Sequence, residues 1–206
     1  MCLGYAERRS IHTSIVEIVE LNIPGVHEVR LSPIADARGF FMRTYDVAAM
    51  SEAGLHRDWV QENQSRNERK GILRGLHFQF PPSAETKLVR CVRGRVFDVY
   101  VDLRLGSPTL GRWGGLVLSE EDQNMVFIPK GFAHGYCTLS VVSEVLYKVD
   151  HPYDRSREGA LLWSDPAIGI EWPMAGEPVL SEKDAKAMTL DAFISAHQAL
   201  DTGGPA

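Results

Sequence analysis

The middle of the chain is a succession of short β-branched and aromatic segments, cut at close intervals by glycine and proline turns, which leaves almost no room for helices. Lys87–Arg93, Arg95–Leu103, Gly115–Leu118 and Met125–Pro129 read as strands, several of them alternating with period two. Arg93-Gly94, Gly106-Ser-Pro, Arg112-Trp-Gly-Gly and Lys130-Gly131 stand between them as turns. That spacing predicts an all-β antiparallel sandwich or barrel. Two helical signals remain. Val47 to Gly54 reads as a short helix ending at a glycine. Ser181 to about Leu200 carries a cap-like Ser181/Asp184 pair followed by Leu190, Phe193 and Ile194 at helical spacing.

At 206 residues the chain is long enough for one self-sufficient core, and no repeat or linker divides it. We read residues 1–20 as an N-terminal extension, 21–200 as a single domain and 201–206 as a frayed tail. Lys and Arg total 22 against 27 Asp and Glu, a net charge of −5, which argues against nucleic acid as a partner but leaves room for a local basic pocket. Cys2, Cys91 and Cys137 are odd in number and lack CxxC spacing, so they suggest neither a disulfide framework nor a thiolate zinc site. With no signal-peptide core and no run of about 20 apolar residues, the expected setting is cytoplasmic and away from membranes.

Two segments place ionisable groups in strand-like apolar surroundings: Gly71-Ile-Leu-Arg-Gly-Leu-His-Phe-Gln and Ile128-Pro-Lys-Gly-Phe-Ala-His-Gly-Tyr. Strict alternation puts Gly75, His77 and Gln79 on one face and Leu76 and Phe78 on the other. Taken alone, His77 is as well explained as a hydrogen-bonded core histidine; His134, Arg38, Arg74 and Lys87 in the same barrel favour a site. Pro129 to His134 has the PxGxxH spacing of the second cupin motif, which supplies a metal ligand in metal-binding members. The first motif, a His-x-His pair, is replaced by His77-Phe-Gln79, a poor donor set. The expectation is no metal and no cofactor.

Asp36-Ala-Arg38-Gly-Phe-Phe41, Gln61-Glu-Asn63-Gln-Ser, Gly71 to His77, Lys87-Leu-Val, Gly94-Arg-Val-Phe-Asp-Val, Asp102-Leu-Arg-Leu-Gly-Ser-Pro-Thr, Gly131-Phe-Ala-His134-Gly, Tyr147-Lys, Trp163-Ser-Asp-Pro, Ile170-Glu-Trp-Pro and Leu180-Ser-Glu-Lys-Asp184 follow one another in this order. Over residues 22–188 this series closely resembles the dTDP-4-dehydrorhamnose 3,5-epimerase family. The resemblance implies a metal-free, cupin-type jelly roll, homodimeric, that epimerises nucleotide-linked 4-keto-6-deoxy sugars. It implies His77 as base, Asp184 as its orienting carboxylate, Tyr147 as the opposite-face acid, and Lys87 with His134 as stabilisers of the enolate. It assigns Arg38 and Arg74 to the diphosphate, Gln61 and Asn63 to nucleotide and sugar contacts, Tyr153 to base stacking, and Phe41 to the substrate-binding set.

The chemistry fits those residue types. A C4 ketone acidifies the hydrogens at C3 and C5, so inversion needs a base near neutral pKa, an acid and an oxyanion stabiliser. The expected reaction converts dTDP-4-dehydro-6-deoxy-D-glucose to dTDP-4-dehydro-L-rhamnose. Rival readings are a single-carbon or GDP-/CDP-sugar epimerase, a non-catalytic sugar-nucleotide-binding barrel and a metal-dependent cupin oxygenase. Arg43 stands where the family usually has a glutamate. The β-branched Ile15-Val-Glu-Ile-Val would be an open edge unless paired, a second reason to expect a dimer.

Overall fold

The computed structural model describes residues 10–12, 16–174 and 176–203. Its strands are β1 (Ser10–His12), β2 (Val16–Glu20), β3 (His27–Leu31), β4 (Ile34–Asp36), β5 (Gly39–Phe41), β6 (Gln61–Asn67) and β7 (Leu73–Gln79). They continue as β8 (Lys87–Arg93), β9 (Arg95–Asp102), β10 (Trp113–Ser119), β11 (Asn124–Ile128), β12 (Phe132–Thr138), β13 (Ser143–Val149) and β14 (Glu158–Ala160). The helices are α1 (Val47–Glu52), α2 (Glu182–Ala185) and α3 (Leu190–His197). A seven-stranded sheet runs β1-β2-β3-β11-β8-β13-β6 and faces a five-stranded sheet, β10-β9-β12-β7-β14; β4 and β5 form a separate hairpin. Every pairing within the sheets is antiparallel, with crossovers such as β3 to β11 and β7 to β12, the wiring of a jelly roll.

Apolar residues fill three layers, which is why the central strands read as continuous hydrophobic runs and not as clean alternation. Between the sheets, Val89, Cys91, Val126 and Val145 meet Val96, Tyr100, Phe132 and Tyr136. Outside the five-stranded sheet, Leu76, Phe78, Val99 and Val101 are covered by Ile168, Leu190, Phe193 and Leu200; the Phe78 and Phe193 rings meet edge-on at 5.5 Å. Outside the seven-stranded sheet, Val29, Leu88 and Phe127 are covered by Ala49 and Met50 of α1 and by Leu55. Strands buried on both faces, such as Asn124–Ile128 and Phe132–Thr138, have no polar side to show.

The helical expectations hold in position and differ in extent. Helix α1 starts where Asp46 accepts the Ala49 N–H and stops before Gly54, whose φ of +72° ends the helical path. The segment read as one helix from Ser181 is two. Ser181 caps α2, Thr189 caps α3, and between them the backbone straightens so that Leu162 donates to the Met188 carbonyl at 2.8 Å. A second bridge, Ile72 to Val179, fixes the same segment on the other side of α2.

At the N-terminus, Val16–Glu20, the last residues of the stretch read as an extension, is β2, paired with β3 of the domain along its whole length and with β1 on its other side. The stretch from Val16 is therefore covered within the chain and is not the open edge considered above; Ile15 is outside the described residues. Cys91 and Cys137 are free and buried. Among the described residues, no helix is long and apolar enough to cross a membrane.

One irregularity controls the site. His77 faces His134 and Arg74 faces Tyr136, so two residues of β7 oppose one of β12. This bulge breaks the alternation at Gly75-Leu76 and turns Arg74 to the same side as His77, where strict period two would have set it beside Leu76 and Phe78. Gly75 permits it, with φ +122° and a position where a Cβ would lie 2.5 Å from the Gly135 Cα. Gly75→Ala is expected to cost about 2–3 kcal/mol, read as a lowered urea midpoint; an unchanged midpoint would contradict this account of the bulge.

Candidate active site

The inward-facing rows that build the inter-sheet core also carry the polar groups. Lys87 lies in line with Val89 and Cys91 on β8, Tyr147 with Val145 and Val149 on β13, His134 with Phe132 and Tyr136 on β12, and Asp98 with Val96 and Tyr100 on β9. They open a cleft of two lobes, about 140 and 260 Å³, that share His77, Lys87 and Tyr147 at their junction. The first lobe adds Gln61, Asn63, Gln79, Glu85, Tyr153 and Glu158; the second adds Arg74, His134, Tyr136, Lys183 and Asp184.

His77 is fixed by Asp184, whose Oδ1 lies 2.6 Å from Nε2. The sequence suggested a capping box, and half of it forms: the Ser181 hydroxyl takes the Asp184 N–H at 3.1 Å, but the Asp184 carboxylate turns to the imidazole. Burial works against the charged carboxylate, yet the His77 hydrogen bond and charge, with the Ser181 hydroxyl and Gly75 N–H, hold its pKa below the ordinary value. With Nε2–H given to Asp184, neutral His77 presents Nδ1 as the free lone pair.

Tyr147 approaches from the facing sheet. Burial, then the nearby Glu85 carboxylate, raises its pKa and keeps the phenol protonated at neutral pH. Lys87 is buried with Nζ 3.1 Å from Glu85, and Gln79 ties the other Glu85 oxygen at 2.8 Å. His134 reaches both oxygens of the fully buried Asp98, at 2.9 and 3.0 Å. Arg74 gives Nε–H to Asn67 at 2.9 Å, which in turn donates to the Tyr136 hydroxyl. At the rim, Glu158 accepts from the Tyr153 hydroxyl at 2.9 Å and pairs with Lys183. The Tyr153 N–H donates to Gln61.

Of the residues singled out from sequence, His77, Lys87, Tyr147, Asp184, Arg74, His134, Gln61, Asn63 and Tyr153 line this cleft. Arg38 and Phe41 do not. They sit on the β4–β5 hairpin, where Arg38, among the described residues, bonds only to Asp36 and Phe41 is 67% exposed, in a separate depression. Arg43 pairs with Asp46 at 3.3 Å, away from the cleft lining. Asp98, Glu85, Glu158 and Lys183 were not singled out. Asp98 carried a usable signal, since it shares the inward row of Val96 and Tyr100. Among the described residues, no three of His, Cys, Asp or Glu stand together as metal ligands.

A family model described as dTDP-4-dehydrorhamnose 3,5-epimerase matches residues 20–192. The protein of that name from Salmonella typhimurium is 47% identical over 175 residues, covering 84% of this chain and 95% of the relative. Among solved structures, a 4-keto-6-deoxy sugar epimerase from the novobiocin biosynthetic gene cluster of Streptomyces spheroides superposes with a TM-score of 0.86 at 36% identity, covering 96% of this chain and 98% of its own. The dTDP-6-deoxy-D-glucose-3,5-epimerase of Legionella pneumophila, solved in complex with dTDP-4-keto-L-rhamnose, gives 0.85 at 38% identity, covering 92% and 100%.

The Asp184 environment has a consequence for stability. A carboxyl whose pKa is depressed by folding stabilises above its unfolded value, about 3.9, and loses that contribution as pH falls through the folded value. The gap in urea midpoint between wild type and Asp184→Asn is therefore expected to be widest near neutrality and to shrink below about pH 4. A gap independent of pH would contradict an ionised Asp184 held by its hydrogen bonds.

Proposed function

The chain belongs to the dTDP-4-dehydrorhamnose 3,5-epimerase family, and from that premise we propose that its cleft inverts C3 and C5 of a nucleotide-linked 4-keto-6-deoxy sugar, dTDP-4-dehydro-6-deoxy-D-glucose, through an enolate. The observation that carries the proposal is that His77, backed by Asp184, comes from one sheet while the protonated Tyr147 comes from the sheet facing it. A sugar ring lying between the sheets meets a base on one face and an acid on the other.

His77 Nδ1 takes the proton α to the ketone, and the C–H electron pair moves into the enolate with its charge on the C4 oxygen. Lys87 and His134 face that oxygen as fixed donors in a water-poor site, where such donors act far more strongly than in water. Tyr147 returns a proton to the carbon from the other side and regains one from solvent, while His77 gives up to solvent the proton it took, so that both groups are restored. The same groups serve the second carbon once the ring has shifted. The nucleobase stacks on Tyr153 in the first lobe, with Gln61 and Asn63 along the nucleotide. Arg74, in the second lobe, offers its fork to the phosphate nearest the sugar. The setting is the cytoplasm, in keeping with unpaired, buried Cys91 and Cys137.

The expected test is turnover of the 4-keto sugar nucleotide in heavy water, followed by proton NMR. His77→Asn is expected to abolish both inversion and exchange while binding of bare dTDP persists, since the base acts only in the chemical step. Tyr147→Phe is expected to exchange ring hydrogens for deuterium while yielding little inverted sugar. His77→Asn that keeps more than a few per cent of activity, or Tyr147→Phe that inverts at the wild-type rate, would overturn the assignment.

The active form we propose is a homodimer. The β4–β5 hairpin exposes Ile34, Phe40 and Phe41 together, and it carries the two resemblance-assigned residues that the cleft lacks, Arg38 and Phe41. Insertion of this hairpin beside the first lobe of a second copy would cover the apolar side chains and bring Arg38 to the diphosphate. The double substitution Phe40→Ser with Phe41→Ser is expected to yield a monomer by light scattering and to raise KM about tenfold or more. A wild-type monomer at assay concentration would refute this arrangement.

A further inference from the structure

Asp98 has no exposed surface, and among the described residues its only side-chain hydrogen bonds are the two from His134 Nε2. A carboxylate in that position is costly unless a full charge answers it. Lys87 lies near enough to attract it, but Lys87 is already paired with Glu85 at 3.1 Å. With those two cancelling, His134 is left to balance Asp98. Were His134 neutral, this wall of the cleft would carry a net negative charge facing the place where the enolate adds another. As an imidazolium it leaves the wall neutral and gains a second N–H. Its Nε2 is taken by Asp98, no described residue hydrogen-bonds Nδ1, and the ring lines the second lobe directly across from His77.

Resting on the epimerase reading, we infer that Asp98 is a positioning residue that holds His134 as an imidazolium, with Nδ1–H directed at the forming C4 oxyanion. Burial raises the Asp98 pKa above the ordinary carboxylate value, and the His134 charge and hydrogen bond, then the Lys87 charge, pull it back only in part. The charged and titratable groups facing the pair are Lys87 on β8, Glu85 before it, His77 and Arg74 on β7, Tyr136 on β12 and Tyr147 on β13. The two histidines thereby divide the work according to their partners. His77 must be neutral to accept a proton, and its side chain is partly open to the cleft. His134 is sealed against a buried anion and keeps its proton throughout the cycle.

The test is nitrogen NMR of the full-length protein carrying isotope-labelled histidine, at about pH 7.5, where an ordinary histidine with pKa near 6.5 is mostly neutral. Both ring nitrogens of His134 are expected to bear protons in the wild type, an observation that needs no variant. Asp98→Asn is expected to reduce this to one proton and to lower kcat about 100-fold or more, with KM and affinity for dTDP unchanged. The ratio of variant to wild-type kcat should rise as pH is lowered and His134 recharges. A singly protonated His134 in an active wild-type enzyme, or Asp98→Asn with wild-type kcat, would overturn the inference. A doubly protonated His134 in a protein that turns over no 4-keto sugar nucleotide would instead overturn the epimerase reading.

Discussion

The 2.6 Å hydrogen bond between His77 and Asp184 joins residues 107 positions apart, and much of the architecture exists to hold it. His77 sits on β7 inside the five-stranded sheet, whereas Asp184 belongs to a four-residue helix with little stability of its own. That helix is fixed from outside: by the Ser181 cap, and by bridges from Val179 to Ile72 on one side and from Met188 to Leu161 on the other. Beyond the second bridge, α3 buries Leu190 and Phe193 against the outer face of the sheet. Burial of that apolar face supplies the free energy that keeps a short polar segment in place at the cleft.

A barrel core that carries Lys87, Asp98 and His134 on its inward rows gives up stability for chemistry. Apolar residues of similar volume would pack there without desolvation cost. The arrangement is tolerable because each charge meets a partner at hydrogen-bonding distance: Lys87 with Glu85, His134 with Asp98, His77 with Asp184. Removing one member of such a pair strands the other, so these positions are coupled and their substitutions will not add.

Much of this was legible in the sequence, and the failures have physical causes. Short β-branched and aromatic runs between turns located β8, β9 and β11 because such residues suit a pleated surface. Strict alternation would set Arg74 beside Leu76 and Phe78, but a bulge turns it to the His77 side, and only Gly75, a residue that marks bulges, hints at this in the sequence. Asp98 is hard to pick out because β9 is apolar on both faces, and only its place in the inward row of Val96 and Tyr100 marks it. The helix expected from Ser181 broke in two because tertiary pairing at Met188 outweighs the helical preference of the residues around it. Arg38 and Phe41 were grouped with the cleft because a motif names residues without saying where the fold sets them, and the β4–β5 hairpin holds both outside the cleft lining.

The charge balance of the cleft shows why the two histidine–carboxylate pairs are not redundant. In the proposed resting state, Lys87 offsets Glu85, an imidazolium at position 134 offsets Asp98, and Asp184 is the carboxylate left beside neutral His77, within the same lobe as the guanidinium of Arg74. Proton abstraction moves one positive charge onto His77 and one negative charge onto the substrate oxygen, so the total in the lobe does not change. The His77 cation forms against Asp184 and the oxyanion against donors already in position. Charge is thus created as a pair, each half beside its counter-charge, and the site need not admit water to stabilise it. A second neutral histidine would supply a base where one already stands and would leave the oxyanion facing an uncompensated carboxylate. The different burial of the two pairs, His77 at the open junction and His134 nearly sealed beside it on the neighbouring strand, is the physical basis on which the proposed division between neutral base and cationic donor rests.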